Sequence, residues 1–561
     1  MSRFLATLLE SAARSEHGMT TGEPTAPARR PWREVHDTAR RMAATLGTAA
    51  GDRAPRSVGV LAAAPSVIAP AAQAAWLTGG SVTMLHQPTA RTDLAAWAED
   101  TVSVLRMIDA ELVLLGPPFA ALAPVLGQRG IAFRTIDSLD AGGPGIRADA
   151  EVAAERDIAL LQLTSGSTAE PKAVRITHGN LHANISAMVE AARLDVQRDI
   201  MVSWLPLFHD MGMVGFLTIP MVTGLELVSV TPADFLARPL LWAELISRYG
   251  GTVTAAPNFA YAVLARQLAR AEGPLDLSSL RIALNGAEPI DPDAVGAFTA
   301  AGARFGLRPE SVLAAYGMAE TVLGVAFAPV DTGLQVDEID AEQLEARRRA
   351  VPAGDGPARR FPRLGPPLPG IEVRVVGDGG EVLAEREVGV LQLRGPSVTP
   401  GYLTVDGAVD ALDGEGWLDT GDEGYLAEGM VVVCGRRKDV IIMGGRNIYP
   451  TDIERAAAEA EHVRAGNAVA VRLLAGDTGR HRESFAVAVE SRKAGDPEAE
   501  LLIRKDVTSR VVSAIGVRPA EVVVLGPGTL PKTPSGKLRR AATAEALRAR
   551  ERSAASGAPR P

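Results

Sequence analysis

The segment Leu161-Gln-Leu-Thr-Ser-Gly-Ser-Thr-Ala-Glu-Pro-Lys172 joins a predicted buried strand to a loop suited to phosphate. The strand is indicated by the apolar run from Ile158, and N-cap residues from Thr177 predict a helix that begins near Leu181. Hydroxyl and backbone N–H groups donate to phosphate oxygens, and Lys172 adds a mobile positive charge. The loop is neither a Walker A motif nor a G-x-G-x-x-G motif. We interpret it as a triphosphate-binding loop, with a polar surface turn as the alternative.

Short apolar runs alternate with helical periodicities on the N-terminal side of this segment. This alternation is typical of βαβ units in a largely parallel sheet, where ligands bind at the carboxyl ends of the strands. Residues 371–376 and 388–393 alternate with a period of two instead, which predicts antiparallel strands. The predicted fold class is therefore α/β, with a large N-terminal domain of mixed, mostly parallel sheets with helices plus a β subdomain. A small mobile α+β C-terminal domain completes it.

The composition is that of a globular protein with more than one domain. The 561 residues exceed the size of one domain, and 47% of them are apolar. A formal net charge of −9 argues against a nucleic-acid surface. The single cysteine, Cys434, lies in an apolar run and is predicted to be a buried small hydrophobe, with a reactive thiol as the alternative. One cysteine allows no disulfide within the chain, which fits a reducing cytoplasm. We expect no secretory signal at Met1 and no membrane span, since no apolar run reaches about 18 residues.

Further motifs follow in order along the chain. They are Ser203-Trp-Leu-Pro-Leu-Phe-His-Asp-Met-Gly212, Asn285-Gly-Ala-Glu-Pro289, Ala315-Tyr-Gly-Met-Ala-Glu-Thr321, Asp419-Thr-Gly-Asp-Glu-Gly424, Gly435-Arg-Arg-Lys-Asp439 and Leu530-Pro-Lys-Thr-Pro-Ser-Gly-Lys-Leu-Arg539. Together with the first segment they resemble the ANL adenylating superfamily of acyl-CoA synthetases, peptide-synthetase adenylation domains and luciferases. Within it, the Ser203–Gly212 motif and Gly445-Arg-Asn-Ile-Tyr-Pro-Thr-Asp-Ile-Glu454 are similar to those of the fatty acyl-AMP ligases.

The resemblance implies an enzyme that activates a fatty acid with ATP and Mg²⁺, forming acyl adenylate and pyrophosphate. The acyl group then passes to the phosphopantetheine thiol of an acyl carrier protein acting in trans. A fatty acyl-CoA ligase on the same scaffold is the alternative, and a catalytically silent homologue that binds nucleotide or acyl chains is a remoter one. The intact lysines and carboxylates of the motifs argue against the silent homologue. The chain departs from the usual pattern at Ala169 and Ala173, where glycine is common, and alanine is tolerated where φ is negative.

Position by position, the resemblance assigns roles to the motif residues. Lys537 is the catalytic residue that bridges the substrate carboxylate and the α-phosphate, His209 lies at the carboxylate entrance of the acyl site, and Glu320 holds Mg²⁺. The residues predicted to bind nucleotide or the pantetheine arm are Thr164, Ser165, Gly166, Ser167, Thr168 and Lys172 at the β- and γ-phosphates; Asn285, Gly286, Ala287, Glu288, Tyr316, Gly317, Met318 and Ala319, of which Tyr316 stacks on adenine; Asp422 and Arg436 at the ribose; Lys438 at the hinge; and Gly445 in the pantetheine channel.

Several assignments have a structural alternative. Asp422 could stabilise a Thr-Gly-Asp turn, and Glu320 could cap a helix. Lys537 could be a solvated cation beside Arg539. His209 could be a hydrogen-bonded core histidine.

The resemblance also predicts the domain boundaries. Residues 1–435 form the large N-terminal adenylate-forming domain that binds ATP and acyl chain, and residues 436–438 form the hinge. Residues 439–561 form the small C-terminal domain with the catalytic lysine and a disordered tail, which rotates about Lys438 between the two half-reactions. An apolar acyl tunnel is predicted from residues that could equally form ordinary core, namely Met211, Met213, Val214, Phe216 and Leu217 with Gly212, Gly215 and Gly286.

A polar stretch over residues 331–369 makes the chain longer than we expect for a CoA ligase of this superfamily. Its apolar residues Val336, Ile339, Leu344 and Val351 predict that it is anchored against a domain face. Fatty acyl-AMP ligases resemble this chain in carrying an insertion here, thought to hinder the arrangement that accepts CoA. The alternative is a long solvated loop.

Overall fold

The computed structural model describes residues 1–49, 54–88, 92–140, 153–164, 171–443, 446–473, 483–532 and 538–555. The strands, in chain order, are β1 Gly18–Thr21, β2 Ala28–Pro31, β3 Ser57–Leu61, β4 Ser81–Met84, β5 Leu112–Leu115, β6 Phe133–Thr135, β7 Ile158–Thr164, β8 Lys172–Thr177, β9 Ile200–Ser203, β10 Glu226–Ser229, β11 Val253–Ala256, β12 Ile282–Asn285, β13 Val312–Gly317, β14 Gly324–Phe327, β15 Val336–Asp340, β16 Ala358–Pro362, β17 Glu372–Val376, β18 Gly389–Arg394, β19 Gly401–Thr404, β20 Gly407–Asp410, β21 Leu418–Ala427, β22 Met430–Arg436, β23 Ile441–Met443, β24 Arg446–Ile448, β25 Val463–Leu473, β26 Ser484–Ser491 and β27 Glu521–Leu525.

The α-helices are α1 Arg3–Arg14, α2 Trp32–Ala49, α3 Pro65–Leu77, α4 Leu94–Met107, α5 Ala123–Gln128, α6 Ile136–Asp140, α7 His178–Ala191, α8 Ile219–Thr223, α9 Pro232–Ala237, α10 Leu240–Tyr249, α11 Asn258–Arg270, α12 Pro292–Gly302, α13 Ala341–Arg347, α14 Pro450–Ala458, α15 Pro497–Ile515 and α16 Arg540–Ala555. A π-helix spans Met211–Thr218, and short 3₁₀ turns include Ala319–Thr321 and Arg437–Asp439. None of the helices in the described ranges combines the length and apolar character that crossing a membrane requires.

The chain forms two compact units, each assembled from several stretches. The first unit comprises Met1–Gln335, Pro362–Val373 and Leu393–Asp419, and the second comprises Val336–Phe361, Arg374–Gln392 and Thr420–Pro561. The predicted hinge over residues 436–438 is a site of rotation between domains, and the division into units does not test a rotation. The hinge and the predicted domain boundaries at residues 435 and 439 therefore stay predictions.

Two large sheets lie in the described part of the first unit. One has the order β14-β13-β12-β11-β9-β10-β1-β2; its central strands are parallel, and its two edge pairs are antiparallel. The other has the order β20-β19-β8-β7-β4-β3-β5-β6 and is parallel from β7 to β6. Strand β5 is buried along its whole length, which explains its continuous apolar sequence. The predicted α/β class with mostly parallel sheets is confirmed.

The predicted phosphate loop joins two antiparallel strands of the second of these sheets. Strands β7 and β8 pair in antiparallel register, and Thr164 lies opposite Lys172. Helix α7 follows β8 directly, with Thr177 as its N-cap. The Thr177 side chain accepts a hydrogen bond from the Asn180 backbone N–H, and the Asn180 side chain accepts one from the Thr177 N–H, which completes a capping box. The predicted strand is confirmed, and helix α7 begins at His178, three residues before the predicted start near Leu181, because Thr177, the first of the N-cap candidates, caps it.

The second unit contains smaller sheets. A four-stranded sheet has the order β17-β18-β21-β22, and a three-stranded sheet has the order β25-β26-β27. The helices α14 and α15 share a hydrophobic core with the three-stranded sheet, in which Ile453, Val487 and Val507 are fully buried. These sheets correspond to the predicted β subdomain and α+β C-terminal domain.

The polar stretch that includes residues 336–361 is a folded element of the second unit. Strand β15, helix α13 and strand β16 follow one another, and β15 pairs with β16. Ile339 and Leu344 are 0% and 1% exposed, and both belong to a hydrophobic cluster with Tyr425 and Tyr449. The predicted anchoring is confirmed for Ile339 and Leu344, because a solvated loop would leave these side chains in water, while Val336 and Val351 are half-buried. The effect of the insertion on the acceptor stays a prediction.

Cys434 belongs to the same hydrophobic cluster as the folded insertion. It is a free cysteine and is 4% exposed. Burial raises the pKa of its thiol, and the nearby Glu423 raises it further. The prediction that Cys434 is a buried small hydrophobe is confirmed.

Candidate active site

The β7–β8 hairpin places two of the predicted phosphate-binding side chains at its open end. Thr164 ends β7 and Lys172 begins β8, so the two residues flank the loop that joins the strands. The Thr164 hydroxyl oxygen is buried and has no hydrogen-bond partner among the described residues. A buried hydroxyl of this kind is favourable only when something else bonds to it. Ser165, Gly166, Ser167 and Thr168 lie outside the described residues.

Lys172 lies between a carboxylate and an aromatic ring. Its Nζ atom is 3.7 Å from Glu320 Oε1 and 3.9 Å from the centre of the Tyr402 ring. The Tyr402 hydroxyl donates a hydrogen bond of 3.1 Å to the same Oε1 atom of Glu320. The structure therefore brings together the predicted phosphate ligand and the predicted metal ligand through a third residue.

Glu320 is carried on a tight turn between β13 and β14. Gly317 opens the turn, and a Cβ atom there would lie 2.1 Å from the Leu323 carbonyl oxygen, so only glycine fits. Val322 closes the turn with φ of 73° and ψ of −55°, close to the strained γ-turn conformation that β-branched residues avoid. This backbone strain fixes the direction of Glu320 at the cost of some stability.

We expect the free energy of unfolding of the Val322→Gly variant to exceed that of the Val322→Ala variant by about 1 kcal/mol. Both substitutions remove the buried side chain, but only glycine adopts the positive φ without strain. Chemical denaturation of the two variants measures the difference.

Val325 on β14 supplies the control, since it is equally buried and lies in an ordinary strand. There the order should reverse, with alanine more stable than glycine. The same order at both positions would contradict strain at Val322.

The predicted adenine-binding segments follow neighbouring parallel strands. Strands β12 and β13 pair with Asn285 opposite Ala314, and a Cβ atom on Gly286 would lie 3.1 Å from the Ala315 carbonyl oxygen. The segment after Asn285 therefore contacts the segment that begins at Tyr316. The Asn285 side-chain oxygen is buried with no partner in the described ranges. Like the Thr164 hydroxyl, it has hydrogen-bonding capacity that no described residue uses, and its role at adenine stays a prediction.

The other predicted residues of these two segments are Ala287, Glu288, Met318 and Ala319. Ala287 adopts a positive φ of 67°, which is uncommon for a residue with a side chain. Glu288 accepts a hydrogen bond of 2.6 Å from the backbone N–H of Phe259, in the first turn of α11. Met318 and Ala319 are buried in the turn that carries Glu320.

His209 is paired with the next residue in the chain. Its Nδ1 atom is 2.6 Å from Asp210 Oδ1, and the side chain is 22% exposed. His86 packs edge-on against Phe208, and burial lowers the pKa of His86 to about 4, with a further contribution from His209. The structure thus places His209 in a hydrogen-bonded, partly exposed position, and both readings of its role stay open.

The segment after His209 forms the π-helix Met211–Thr218, in which every residue is buried. A Cβ atom on Gly212 would lie 2.2 Å from the Pro206 carbonyl oxygen, and one on Gly215 would lie 3.1 Å from the Leu323 side chain. π-Helical turns are rare and concentrate at functional sites. The predicted acyl tunnel along Met211, Met213, Val214, Phe216 and Leu217 stays a prediction.

The predicted ribose-binding residues form a pair within the second unit. Asp422 and Arg436 face each other across β21 and β22, with 2.8 Å between Arg436 Nε and Asp422 Oδ1. Arg436 also donates to the Thr420 carbonyl oxygen, while the Asp422 N–H donates to the Thr420 hydroxyl. Gly421, between Thr420 and Asp422, has a φ of 70°, a conformation that favours glycine. Asp422 therefore lies within strand β21, and Arg436 orients its carboxylate.

Two of the remaining predicted site residues lie outside the described residues, namely Lys537, predicted to be catalytic, and Gly445, predicted to line the pantetheine channel. Lys438 lies in the 3₁₀ turn Arg437–Asp439 directly after β22. Asp439 in the same turn pairs with Arg540, which holds this connection in place.

The donor set of the first unit fits ATP with Mg²⁺. In the described ranges no three acidic, histidine or cysteine side chains are grouped as a metal site. A metal held by Glu320 would therefore take most of its ligands from phosphate and water, as Mg²⁺ does. Lys172 and the buried Thr164 hydroxyl supply the cation and the donor that phosphate oxygens require.

Tyr402 is the residue of this cluster that sequence reasoning missed. It follows Glu320 by 82 positions in the chain and reaches it because β19 pairs with β8, with Tyr402 opposite Val174. No local periodicity or spacing in the sequence indicates that pairing. The signal available was its place in Pro400-Gly-Tyr402, at the start of a short apolar run.

Comparisons with known proteins agree with this geometry. The family described as AMP-binding enzyme matches residues 22–403. A provisionally named ligase of Mycobacterium tuberculosis, Rv1013, is 57% identical over 544 residues, 96% of this chain and 99% of the relative. A provisionally named acyl-CoA synthetase of Caulobacter vibrioides is 37% identical over 68% of this chain and 67% of the relative. The long-chain-fatty-acid–AMP ligase FadD26 of Mycobacterium tuberculosis is 32% identical over 70% of each chain.

A solved structure from a study of fatty acyl-adenylate ligases of E. coli and L. pneumophila has the same fold. It superposes with a TM-score of 0.89 at 29% identity, and the match covers 99% of this chain and 98% of the solved chain. Both units of the chain therefore have counterparts in that structure.

Proposed function

This chain belongs to the AMP-binding enzyme family of acyl-adenylate-forming ligases, and we propose that it is a fatty acyl-AMP ligase that passes its acyl group to a carrier protein. In the first half-reaction a fatty-acid carboxylate oxygen attacks the α-phosphorus of ATP, and the bond from that phosphorus to pyrophosphate breaks. In the second, a thiolate sulfur attacks the acyl carbon and AMP leaves. The thiol loses its proton to solvent or to a base.

The residues of the first unit supply positioning and charge neutralisation for the first half-reaction. Lys172 and Thr164 bind the β- and γ-phosphates, and Glu320 would hold Mg²⁺, which would neutralise charge on the phosphates. Because the attacking carboxylate and ATP are both anions, holding and neutralising them supplies most of the catalysis. In the second unit, Asp422 accepts hydrogen bonds from the ribose hydroxyls, and Lys537 neutralises the charge that builds up on the α-phosphate.

The observation that supports a carrier protein as acceptor is the folded insertion. Glu345 on α13 is 8% exposed at its side chain and pairs with Arg446 at 2.5 Å and with Arg359 at 2.5 Å. Arg359 also lies 3.2 Å from Asp452. Arg446 and Asp452 follow the predicted hinge, and Arg446 is the neighbour of the predicted channel residue Gly445. The insertion therefore pairs with the start of the predicted small domain through the largely buried Glu345 and Arg359 side chains.

Rotation about Lys438 would have to break the Arg446–Glu345 and Arg359–Asp452 pairs, because each joins residues on opposite sides of the predicted hinge. Removing the partner of a buried carboxylate is costly, and because the Arg446 side chain is 40% exposed the cost lies below the roughly 3–5 kcal/mol of a fully buried pair. A carrier protein adds a protein–protein interface to its thiol arm, whereas free CoA presents the arm and a nucleotide alone. The larger binding energy of the carrier can offset the broken pairs, and this difference favours the carrier over CoA.

We expect acyl adenylate to accumulate when the protein is given fatty acid, Mg·ATP and free CoA, and thioester to form only with a holo carrier protein. Mass spectrometry of the products separates the two outcomes. Rapid acyl-CoA formation at physiological CoA concentrations would favour the second candidate, an acyl-CoA ligase like the named Caulobacter relative, and would leave the adenylation chemistry standing.

Point variants test the insertion more sharply than its deletion, because deletion would also remove Ile339 and Leu344 from the core. Glu345→Gln should raise CoA-dependent thioester formation by weakening the buried pairs. Glu338→Gln is the matched control, since Glu338 lies in the same insertion, 62% exposed and 3.9 Å from Arg360. Equal CoA activity in both variants would contradict the role of the insertion.

A further inference from the structure

The hydroxyl and ring of Tyr402 contact both charged groups at the predicted phosphate and metal site. Its hydroxyl donates to Glu320 Oε1 at 3.1 Å, and its ring lies 3.9 Å below the Lys172 ammonium. The ammonium is itself 3.7 Å from that same carboxylate oxygen. We propose that Tyr402 is a positioning residue that orients Glu320 for Mg²⁺ and Lys172 for the triphosphate. This inference rests on the proposed ATP chemistry of the site.

Tyr402 is suited to this role because its backbone is fixed to both of the elements it serves. Strand β19, which carries Tyr402, pairs with β8, which carries Lys172. Just before β19, the Thr399 N–H donates to the Glu320 carbonyl oxygen at 2.8 Å, and the Thr399 hydroxyl donates to the Arg175 carbonyl oxygen at 2.6 Å. Thr399 is 1% exposed. A displacement of β19 would therefore disturb both the pairing with β8 and the hydrogen bond to Glu320.

The residues just before β19 are also hydrogen-bonded to helix α7. The Asn180 side-chain amide donates to the Pro396 and Val398 carbonyl oxygens at 2.7 and 3.0 Å. Asn180 is the residue that completes the capping box of α7. The phosphate hairpin, the helix that follows it and the Tyr402 strand thus form one rigid support, and rigid supports are what precise placement of charged groups requires.

The two halves of the Tyr402 side chain act on different groups. The hydroxyl restricts the carboxylate, whose orientation decides where a metal binds. The ring face attracts the ammonium through its quadrupole and restricts Lys172, one of the side chains with the most rotamer freedom. A ring that only filled space would have no reason to carry a hydroxyl bonded to the carboxylate.

Substitution of Tyr402 separates these contributions. Tyr402→Phe keeps the ring and removes the hydroxyl, and we expect it to raise the Mg²⁺ concentration needed for half-maximal ATP binding about tenfold. Tyr402→Leu removes the ring as well, and we expect it to weaken Mg·ATP binding about a further fivefold. Titration calorimetry with Mg·ATP, in the absence of fatty acid, measures both quantities on the full chain.

Tyr249→Phe is the matched control. The Tyr249 hydroxyl donates to Glu23 at 2.7 Å in the first unit, outside the motif segments. The substitution therefore also removes a tyrosine hydroxyl that is bonded to a glutamate. Its Mg²⁺ dependence should equal that of the unsubstituted chain. Thermal unfolding of all three variants shows whether each is folded.

Two results would overturn the inference: unchanged Mg²⁺ dependence and ATP binding in both folded Tyr402 variants, or an equal change in Tyr249→Phe. The calorimetry also keeps this inference separate from the proposed function. If no fatty acid releases pyrophosphate while the Tyr402 variants still show the expected binding changes, the proposed function fails and the positioning role stands.

Discussion

The Lys537→Ala variant is expected to form acyl adenylate about a thousandfold more slowly than the unsubstituted chain, with little change in ATP affinity. The lysine is proposed to contact charge that exists fully only in the transition state, so its loss should lower the rate without weakening ground-state binding. Pyrophosphate release under saturating ATP measures the rate, and calorimetry measures the affinity.

Lys532→Ala is the control for this variant. Lys532 lies five positions earlier in the same motif, and its Nζ atom donates to the Asn467 side chain at 2.8 Å, which gives it a structural role. The control should adenylate at close to the normal rate. If the Lys537→Ala variant also adenylates at close to the normal rate, Lys537 has no catalytic role and is a solvated cation.

Glu320→Gln is expected to lower kcat/KM for pyrophosphate release by about a hundredfold or more. Glutamine has the same size, and its amide oxygen can still accept the Tyr402 hydrogen bond, so the turn should remain folded. What it removes is the negative charge beside Lys172 that a divalent cation requires. Raising the Mg²⁺ concentration should recover part of the activity.

Glu226→Gln controls for the loss of a paired carboxylate in the first unit. Glu226 pairs with Arg29 at 2.7 Å and lies outside the motif segments. Its kcat/KM should stay within a few fold of the unsubstituted chain. Normal Mg²⁺ dependence in Glu320→Gln would show that Glu320 does not bind the metal and has only a structural role.

Local features of the fold could be predicted from the sequence because local chemistry fixes them. The apolar run from Ile158 and the N-cap at Thr177 are read within a few residues, and the structure confirms both. The burial of Ile339 and Leu344 was also predictable, since large apolar side chains in a polar stretch need a surface to cover.

Features that depend on distant pairing could not be predicted in this way. Tyr402 reaches Lys172 through the β8–β19 ladder, and single-sequence periodicity carries no information on which strands pair. The positive φ of Val322 runs against the preference of a β-branched residue, so the sequence argues for the wrong conformation. Such conflicts between local preference and structure concentrate at functional sites.

Cys434 has a consequence for an enzyme that handles activated acyl groups. An acyl adenylate reacts with any accessible thiolate, and stray protein thiols are the nearest competitors of the intended acceptor. The only cysteine of this chain lies in the hydrophobic cluster, where burial keeps its thiol protonated. The chain therefore has no thiol with which to acylate itself. An acyl label that neutral hydroxylamine removes from protein in a transfer assay can therefore be attributed to a thiol of the proposed carrier protein.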